Sequence, residues 1–142
     1  MSYLGLDLGT TTLGVAISDK TNTLVSPLTL IKFEKENYEE ALESLLKIMS
    51  EKSIKAVVLG LPKNMDNSLG FAAERSLKFK EMLESKGIKV YLEDERLTTV
   101  EALNIMKNNG VKRINKQGKT DMLSAVLILE SFLKRNIWRR II

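Results

Sequence analysis

The fold of this chain is decided by Tyr3-Leu4-Gly5-Leu6-Asp7-Leu8, Gly9-Thr10-Thr11-Thr12 and Leu13-Gly14-Val15-Ala16-Ile17-Ser18. The first and third stretches are short apolar runs, and the middle stretch has the composition of a turn. This pattern predicts two strands joined by a tight connection. A polar turn at 19–22 and a second apolar stretch at 23–33 predict a third strand. Three closely spaced strands with short turns are typical of an antiparallel meander.

Beyond the meander the apolar residues recur at helical spacing and then alternate with strand-like runs. The predicted elements are a helix around 41–49, a strand at 54–59, a helix through 69–83 that Gly87 ends, a strand at 88–92, a helix at 99–108, a loop at 109–119 and a helix at about 120–135. A meander followed by β-α-β units predicts a single α/β domain over residues 1–142, with a mixed sheet and helices on its faces. Right-handed crossovers would make the later strands parallel.

Two absences from the composition restrict the chemistry. The 142 residues are 44% hydrophobic and 28% charged, and they include no cysteine and no histidine. Without cysteine there are no disulfides, thiolate nucleophiles or cysteine-containing zinc sites. Without histidine, Ser-His-Asp and Cys-His catalysis are excluded. Hydrolysis by this chain would therefore use carboxylates, hydroxyls, lysines or a cation bound by oxygen ligands.

The charge is distributed unevenly along the chain. Residues 1–106 carry 13 basic and 16 acidic groups, whereas residues 107–142 carry 9 basic and 2 acidic groups, so the overall +4 divides into −3 and +7. A basic end on a folded domain favours a polyanionic partner, although a solvated, solubilising surface explains it equally well. No run reaches the length of a membrane helix and no leader-like start is visible, so we expect a cytoplasmic protein without membrane contact.

Three acidic sites are candidates for catalysis. Asp7 lies inside an apolar strand, where an ionised carboxylate is costly unless it is paired; alternatively it caps the following turn. Glu93-Asp94-Glu95 follows the strand at 88–92 and forms either an inward-facing cluster or a solvated loop paired with Arg96. Asp121 lies in the first turn of the last predicted helix, where acids are also favoured electrostatically.

Three acids on separate elements would form an all-oxygen site if the fold brings them together. Such a site suits Mg²⁺ or Mn²⁺, and two ions roughly 4 Å apart can activate water at a phosphodiester. The Asp7–Thr12 segment also looks like the first phosphate loop of actin-like and sugar-kinase ATPases. Those proteins clamp the nucleotide between two domains, and 142 residues leave no room for the second one.

Four ordered blocks make the chain resemble the YqgF family, also called RuvX. They are Gly5-Leu6-Asp7-Leu8-Gly9-Thr10 with Gly14-Val15-Ala16, Val58-Leu59-Gly60-Leu61-Pro62-Lys63-Asn64-Met65-Asp66, Asp94-Glu95-Arg96-Leu97-Thr98-Thr99-Val100-Glu101-Ala102, and Lys119-Thr120-Asp121 leading into Ser124-Ala125. The resemblance implies an RNase H-like fold: a five-stranded mixed sheet with helices on both faces. It also implies a nuclease that acts in maturation of the 5′ end of pre-16S rRNA.

The resemblance implies a catalytic and metal-binding set of Asp7, one acid of the Asp94–Arg96 block, and Asp121. We expect Glu95 to be the second ligand and keep Asp94 as the alternate; Glu93 precedes the family block and is the weakest candidate. The family often has two alanines after its final aspartate, where this chain has Ser124-Ala125. This departure affects helix packing and no catalytic residue.

Other matching positions are expected to contact nucleic acid, either structured RNA or branched DNA. They are Gly9, Arg96, Lys112, Arg113, Lys116 and Lys119, the lysines and Arg113 belonging to the predicted loop before Asp121. Trp138 either stacks on the ligand or docks on the core. The sequence leaves two further functions open, a Holliday-junction DNA resolvase and a non-catalytic nucleic-acid or ribosome-assembly module. It also leaves open whether the chain is a monomer or a homodimer and whether it binds pre-ribosomal particles.

Overall fold

The computed structural model describes residues 1–62, 69–95 and 117–138, and for 117–121 it describes the backbone alone. Its elements are β1 (Leu4–Leu8), β2 (Thr12–Ser18), β3 (Val25–Lys32), α1 (Tyr38–Lys52), β4 (Ala56–Leu61), α2 (Phe71–Glu84), β5 (Lys89–Asp94), α3 (Gln117–Leu133) and a π-helical turn (Lys134–Trp138). None of the helices in these ranges is both long enough and apolar enough to cross a membrane.

The five strands form one mixed sheet in the order β3-β2-β1-β4-β5. The pairs β1–β2 and β2–β3 are antiparallel, which confirms the predicted meander. The pairs β1–β4 and β4–β5 are parallel, as the crossover rule predicts. Because β1, β4 and β5 run in the same direction, their C-terminal ends meet at one side of the sheet, here called the carboxyl edge.

Alternation along β1 divides the two faces of the sheet. Leu4, Leu6 and Leu8 pack with α1 and α2, in a core that also contains Leu13, Val15, Leu45, Val57, Leu59, Phe79 and Leu83. Tyr3, Gly5 and Asp7 alternate with them and therefore face α3. The core on that face is smaller and contains Val58, Ile128, Leu129, Phe132 and Leu133. Helices thus cover both faces, as the sequence predicts.

The helix ends follow local signals. Helix α1 is capped by Asn37, whose side chain accepts a hydrogen bond from the backbone N–H of Glu40 at 3.2 Å. The helix ends at Ser53, whose φ of 56° is left-handed. Gly87, with φ of 81°, lies in the turn between α2 and β5, where a left-handed conformation favours glycine.

Three predicted boundaries are wrong. Strand β4 continues through Leu61 and β5 through Asp94, because the parallel ladder pairs Gly60 with Glu93 and Leu61 with Asp94. Two of the three acids therefore lie in β5 rather than after it. Helix α3 begins at Gln117, so the backbone of Lys119 is helical and not part of a loop. Gln117 and Lys119 favour a helical backbone, although Gly118 between them does not. The helix predicted at 99–108 lies outside the described residues.

Candidate active site

Asp7 lies near the end of β1 with a glycine on each neighbouring strand. Gly14 pairs directly with Asp7 across the antiparallel β1–β2 ladder. On the other side, β1 and β4 pair Leu6 with Leu59, so Gly60 follows next to Asp7. Since cross-strand neighbours share a face, the two strand residues that flank Asp7 on the α3 face are both glycines and contribute no side chain there. This gap can admit the side chain of a third element.

Glu95 fills part of that gap. Its side chain lies over Gly60, where a Cβ atom would meet Glu95 Oε1 and would lie 2.7 Å from Glu95 Cγ. The carboxyl group of Glu95 donates a hydrogen bond to the carboxylate of Asp7. Burial is the largest cause that raises the pKa of Glu95, to about 9, followed by this hydrogen bond and the negative charge of Asp7. The two acids therefore share a proton at neutral pH.

Asp94 lies on the opposite face of the sheet from Glu95. Val90 and Leu92 of β5 pack in the core beneath α1 and α2, so alternation places Asp94 on that same face and Glu95 on the opposite one. Asp94 acts on the pair through its charge, which raises the pKa of Glu95 further. The structure therefore brings Glu95, the preferred second acid, to Asp7, and leaves Asp94 on the other face.

Helix α3 carries Asp121 toward the same end of β1. The ring of Phe132 packs against that of Tyr3 with centroids 5.6 Å apart. A Cβ atom on Gly5 would lie 2.5 Å from the carbonyl oxygen of Ala125, so the glycine lets the helix contact the strand closely. The helix thus runs antiparallel to β1, and the turn preceding Ala125, which contains Asp121, lies toward the Asp7 end. Among the side chains described, no group of three acids forms a metal-binding cluster.

Two residues near the acidic pair escaped the sequence analysis. Gly60 lies just beyond the strand predicted at 54–59, whereas in the structure it is a residue of β4 whose missing side chain makes room for Glu95. A glycine inside a strand is a sequence signal of close approach. Arg75, in the second turn of α2, lies near enough to lower the pKa of Glu95 by its positive charge. An arginine in an amphipathic helix gives no comparable signal.

Glu93 has a structural partner. Only 2% of its surface is exposed, and its carboxylate accepts a hydrogen bond from the guanidinium of Arg135 in the π-helical turn. This ion pair lies beside Tyr91 and Phe132 in a cavity of about 410 Å³. It connects the end of β5 to the end of α3. Glu93 is therefore paired with Arg135 and not with Asp7, in agreement with its low rank among the predicted catalytic acids.

The predicted nucleic-acid contacts fall mostly outside the described residues, namely Arg96, Lys112, Arg113 and Lys116. Gly9 lies in the β1–β2 turn, where its N–H donates to the carbonyl oxygen of Thr12 at 2.8 Å. A Cβ atom there would have nothing closer than 3.4 Å, so the turn has room beside Gly9. Trp138 is docked: it packs against the smaller core and its Nε1 donates to the carbonyl oxygen of Asn22 at 2.5 Å.

Comparison with known proteins identifies relatives of this architecture. The model of the RuvX family, described as Holliday junction resolvase, matches residues 1–135. Proteins named "Putative pre-16S rRNA nuclease" from Staphylococcus saprophyticus and Aster yellows witches'-broom phytoplasma are 38% and 42% identical to the chain. Each match covers 92% of this chain, and 93% and 87% of the respective relative.

Among solved structures, RuvC of Thermus thermophilus in complex with a Holliday junction substrate superposes with a TM-score of 0.57. The match covers 95% of both chains at 18% identity, which confirms the predicted RNase H-like fold. The family match and the relatives confirm the predicted enzyme class, a nuclease hydrolysing phosphodiester bonds. On the extent of both matches, the chain belongs to the RuvX family.

Proposed function

We propose that this chain is a divalent-metal-dependent nuclease that trims the 5′ end of pre-16S rRNA, with Asp7, Glu95 and Asp121 as its catalytic carboxylates. One observation carries the assignment: the carboxyl groups of Asp7 and Glu95 are hydrogen-bonded to each other at the carboxyl edge, on the face that α3 covers. The names of the curated relatives support the choice of RNA substrate.

The chemistry of the donor set fits a hard cation. Two carboxyl groups that share a proton would release it to solvent when a divalent cation takes its place, because the cation neutralises their repulsion better than one proton does. Asp7 and Glu95 offer only oxygen ligands, which Mg²⁺ and Mn²⁺ prefer. Gly14 adds no side chain on one side of Asp7, and Gly60 on the other side makes room for the Glu95 carboxyl group. Asp94, on the opposite face, is proposed to act on Glu95 through its charge.

The residues of the chain have distinct roles in this proposal. Asp7, held in the central strand β1, provides the first carboxylate ligand. Glu95, which follows β5, provides the second from the end of that strand. The first turns of α3 supply Asp121 as the third ligand. Bound divalent cations would activate the attacking water and stabilise the leaving oxygen. The basic segment from residue 107 onward, including Arg113 and Lys119, would hold the phosphate backbone.

The test is an Asp7→Asn variant, with Asp19→Asn as its matched control. Asp19 lies in the β2–β3 turn at the opposite edge, where its carboxylate accepts a backbone hydrogen bond from Thr23 at 2.7 Å that asparagine retains. We expect Asp7→Asn to fold, to bind leader RNA and to lose cleavage, while Asp19→Asn cleaves normally. Cleavage by Asp7→Asn at the wild-type rate in Mg²⁺ or Mn²⁺ would contradict the proposed site.

A Holliday junction is the second candidate substrate, because the family model is described as a junction resolvase. Side-by-side cleavage of a pre-16S leader RNA and a four-way DNA junction separates the two. A third outcome, binding of either ligand that persists in EDTA with no cleavage in any metal, would instead identify a non-catalytic binding module.

A further inference from the structure

An aromatic side chain at the start of α2 is exposed to solvent. Phe71 is the first residue of α2, and 87% of its surface is accessible. Leu69, two residues earlier, is 50% exposed. Burying a phenylalanine side chain is ordinarily favourable, so one left exposed at the carboxyl edge is a candidate contact.

The position of Phe71 relative to the acids follows from the topology. Helix α2 connects the parallel strands β4 and β5, so its N-terminus lies at the carboxyl edge, next to the ends of both strands. Arg75 follows Phe71 by four residues, which places the two on the same side of the helix. Phe71 and Arg75 are therefore about one helical turn apart, in the part of α2 nearest the carboxyl edge.

We propose that Phe71 is a stacking platform for an unpaired base next to the cleaved phosphodiester, and that Arg75 contacts the adjoining phosphate. The inference rests on the proposed nuclease function. A planar apolar ring beside a guanidinium matches the two parts of a nucleotide, its base and its phosphate. The N-cap, Gly70, provides no side-chain hydrogen bond, so the first N–H groups of α2 also favour an anion.

The first experiment is a double-mutant cycle between the protein and its substrate. Wild type and Phe71→Ala are assayed on leader RNA that is either intact or abasic at the nucleotide flanking the mapped cleavage position. We expect Phe71→Ala to lower kcat/KM about tenfold on intact RNA and hardly at all on abasic RNA, with Phe71→Trp close to wild type. Leu24→Ala is the control, because Leu24 is 68% exposed but lies at the opposite edge.

Equal losses on intact and abasic RNA, or no loss on either, would overturn the stacking assignment. So would a Phe71→Ala change in sedimentation that reports a lost protein contact instead.

The second experiment measures binding and needs no cleavage. The RNA carries 2-aminopurine at the nucleotide that flanks the cleavage position. Its fluorescence should be quenched when the RNA binds the Asp7→Asn variant, and should not be quenched when it binds the Asp7→Asn/Phe71→Ala double variant. Unchanged quenching would overturn the inference. If the wild type fails to cleave the RNA while quenching still depends on Phe71, the proposed nuclease function fails and the stacking site stands.

Discussion

Glu95 donates a hydrogen bond to Asp7 even though the two side chains would carry like charges if both were ionised. Burial and the neighbouring Asp7 and Asp94 carboxylates raise the pKa of Glu95 from 4.5 to about 9. In the metal-free protein this proton limits the repulsion between the two carboxyl groups. Losing the proton without gaining a cation therefore destabilises the folded state. Four measurable consequences follow from this site and from the packing around it.

Metal-free protein should lose stability as the pH rises between about 4.5 and 9. In this window folded Glu95 retains a proton that the unfolded chain releases, so the unfolding free energy falls with increasing pH. Glu95→Gln keeps a hydrogen-bond donor to Asp7 without the titration, so it should flatten the profile and stabilise the protein at pH 8. Urea unfolding in EDTA at several pH values measures both effects. Glu51→Gln, at an exposed position of α1, is the control, and an unchanged slope in Glu95→Gln would refute the prediction.

Divalent cations should offset the loss of stability that metal-free protein shows at high pH. A cation that replaces the shared proton stabilises the folded state by about 2.7 kcal/mol when its concentration is a hundred times its Kd. Its effect should increase with pH, because protons compete with it for the same oxygens. Thermal unfolding with increasing Mn²⁺ measures the shift for wild type, Asp7→Asn and Asp19→Asn. A shift retained in Asp7→Asn would place the cation elsewhere.

Gly60→Ala should displace the Glu95 carboxyl group and abolish cleavage. The added methyl group would meet Glu95 Oε1 and lie 2.6 Å from Cδ1 of Ile128, so the carboxyl group must move away from Asp7. We expect cleavage to fall to background and stability to decrease by about 1–3 kcal/mol, the usual cost of overpacking. Gly9→Ala is the matched control for the stability measurement alone, since its Cβ would have nothing nearer than 3.4 Å. Gly60→Ala with normal cleavage would show that Glu95 need not occupy this position.

The sequence predicted the order of the described elements and the pairing directions, because alternation and helical spacing report local burial. It predicted Asp7 for the same reason: a single acid in a leucine-rich strand stands out against its neighbours. Local pattern alone did not choose among Glu93, Asp94 and Glu95, since parity leaves two of them on one face; the preference for Glu95 came from the family resemblance, and the β4–β5 ladder places each side chain. What separates those two is Arg135, 42 residues away in the chain, and no local pattern reveals so distant a partner.

That ion pair provides the last prediction. Glu93 is buried and Arg135 has 51% of its side chain exposed, so removing the arginine leaves an uncompensated charge beneath the end of α3. Arg135→Met should destabilise the protein by about 3 kcal/mol, because an unpaired buried carboxylate is costly. Adding Glu93→Gln should recover part of the loss, since the remaining group is then neutral and the methionine still covers it. Urea unfolding of both single variants and the double variant gives the coupling energy. Strictly additive losses would mean that the two side chains stabilise the fold independently, and that the contact between β5 and the π-helical turn depends on the surrounding aromatic packing.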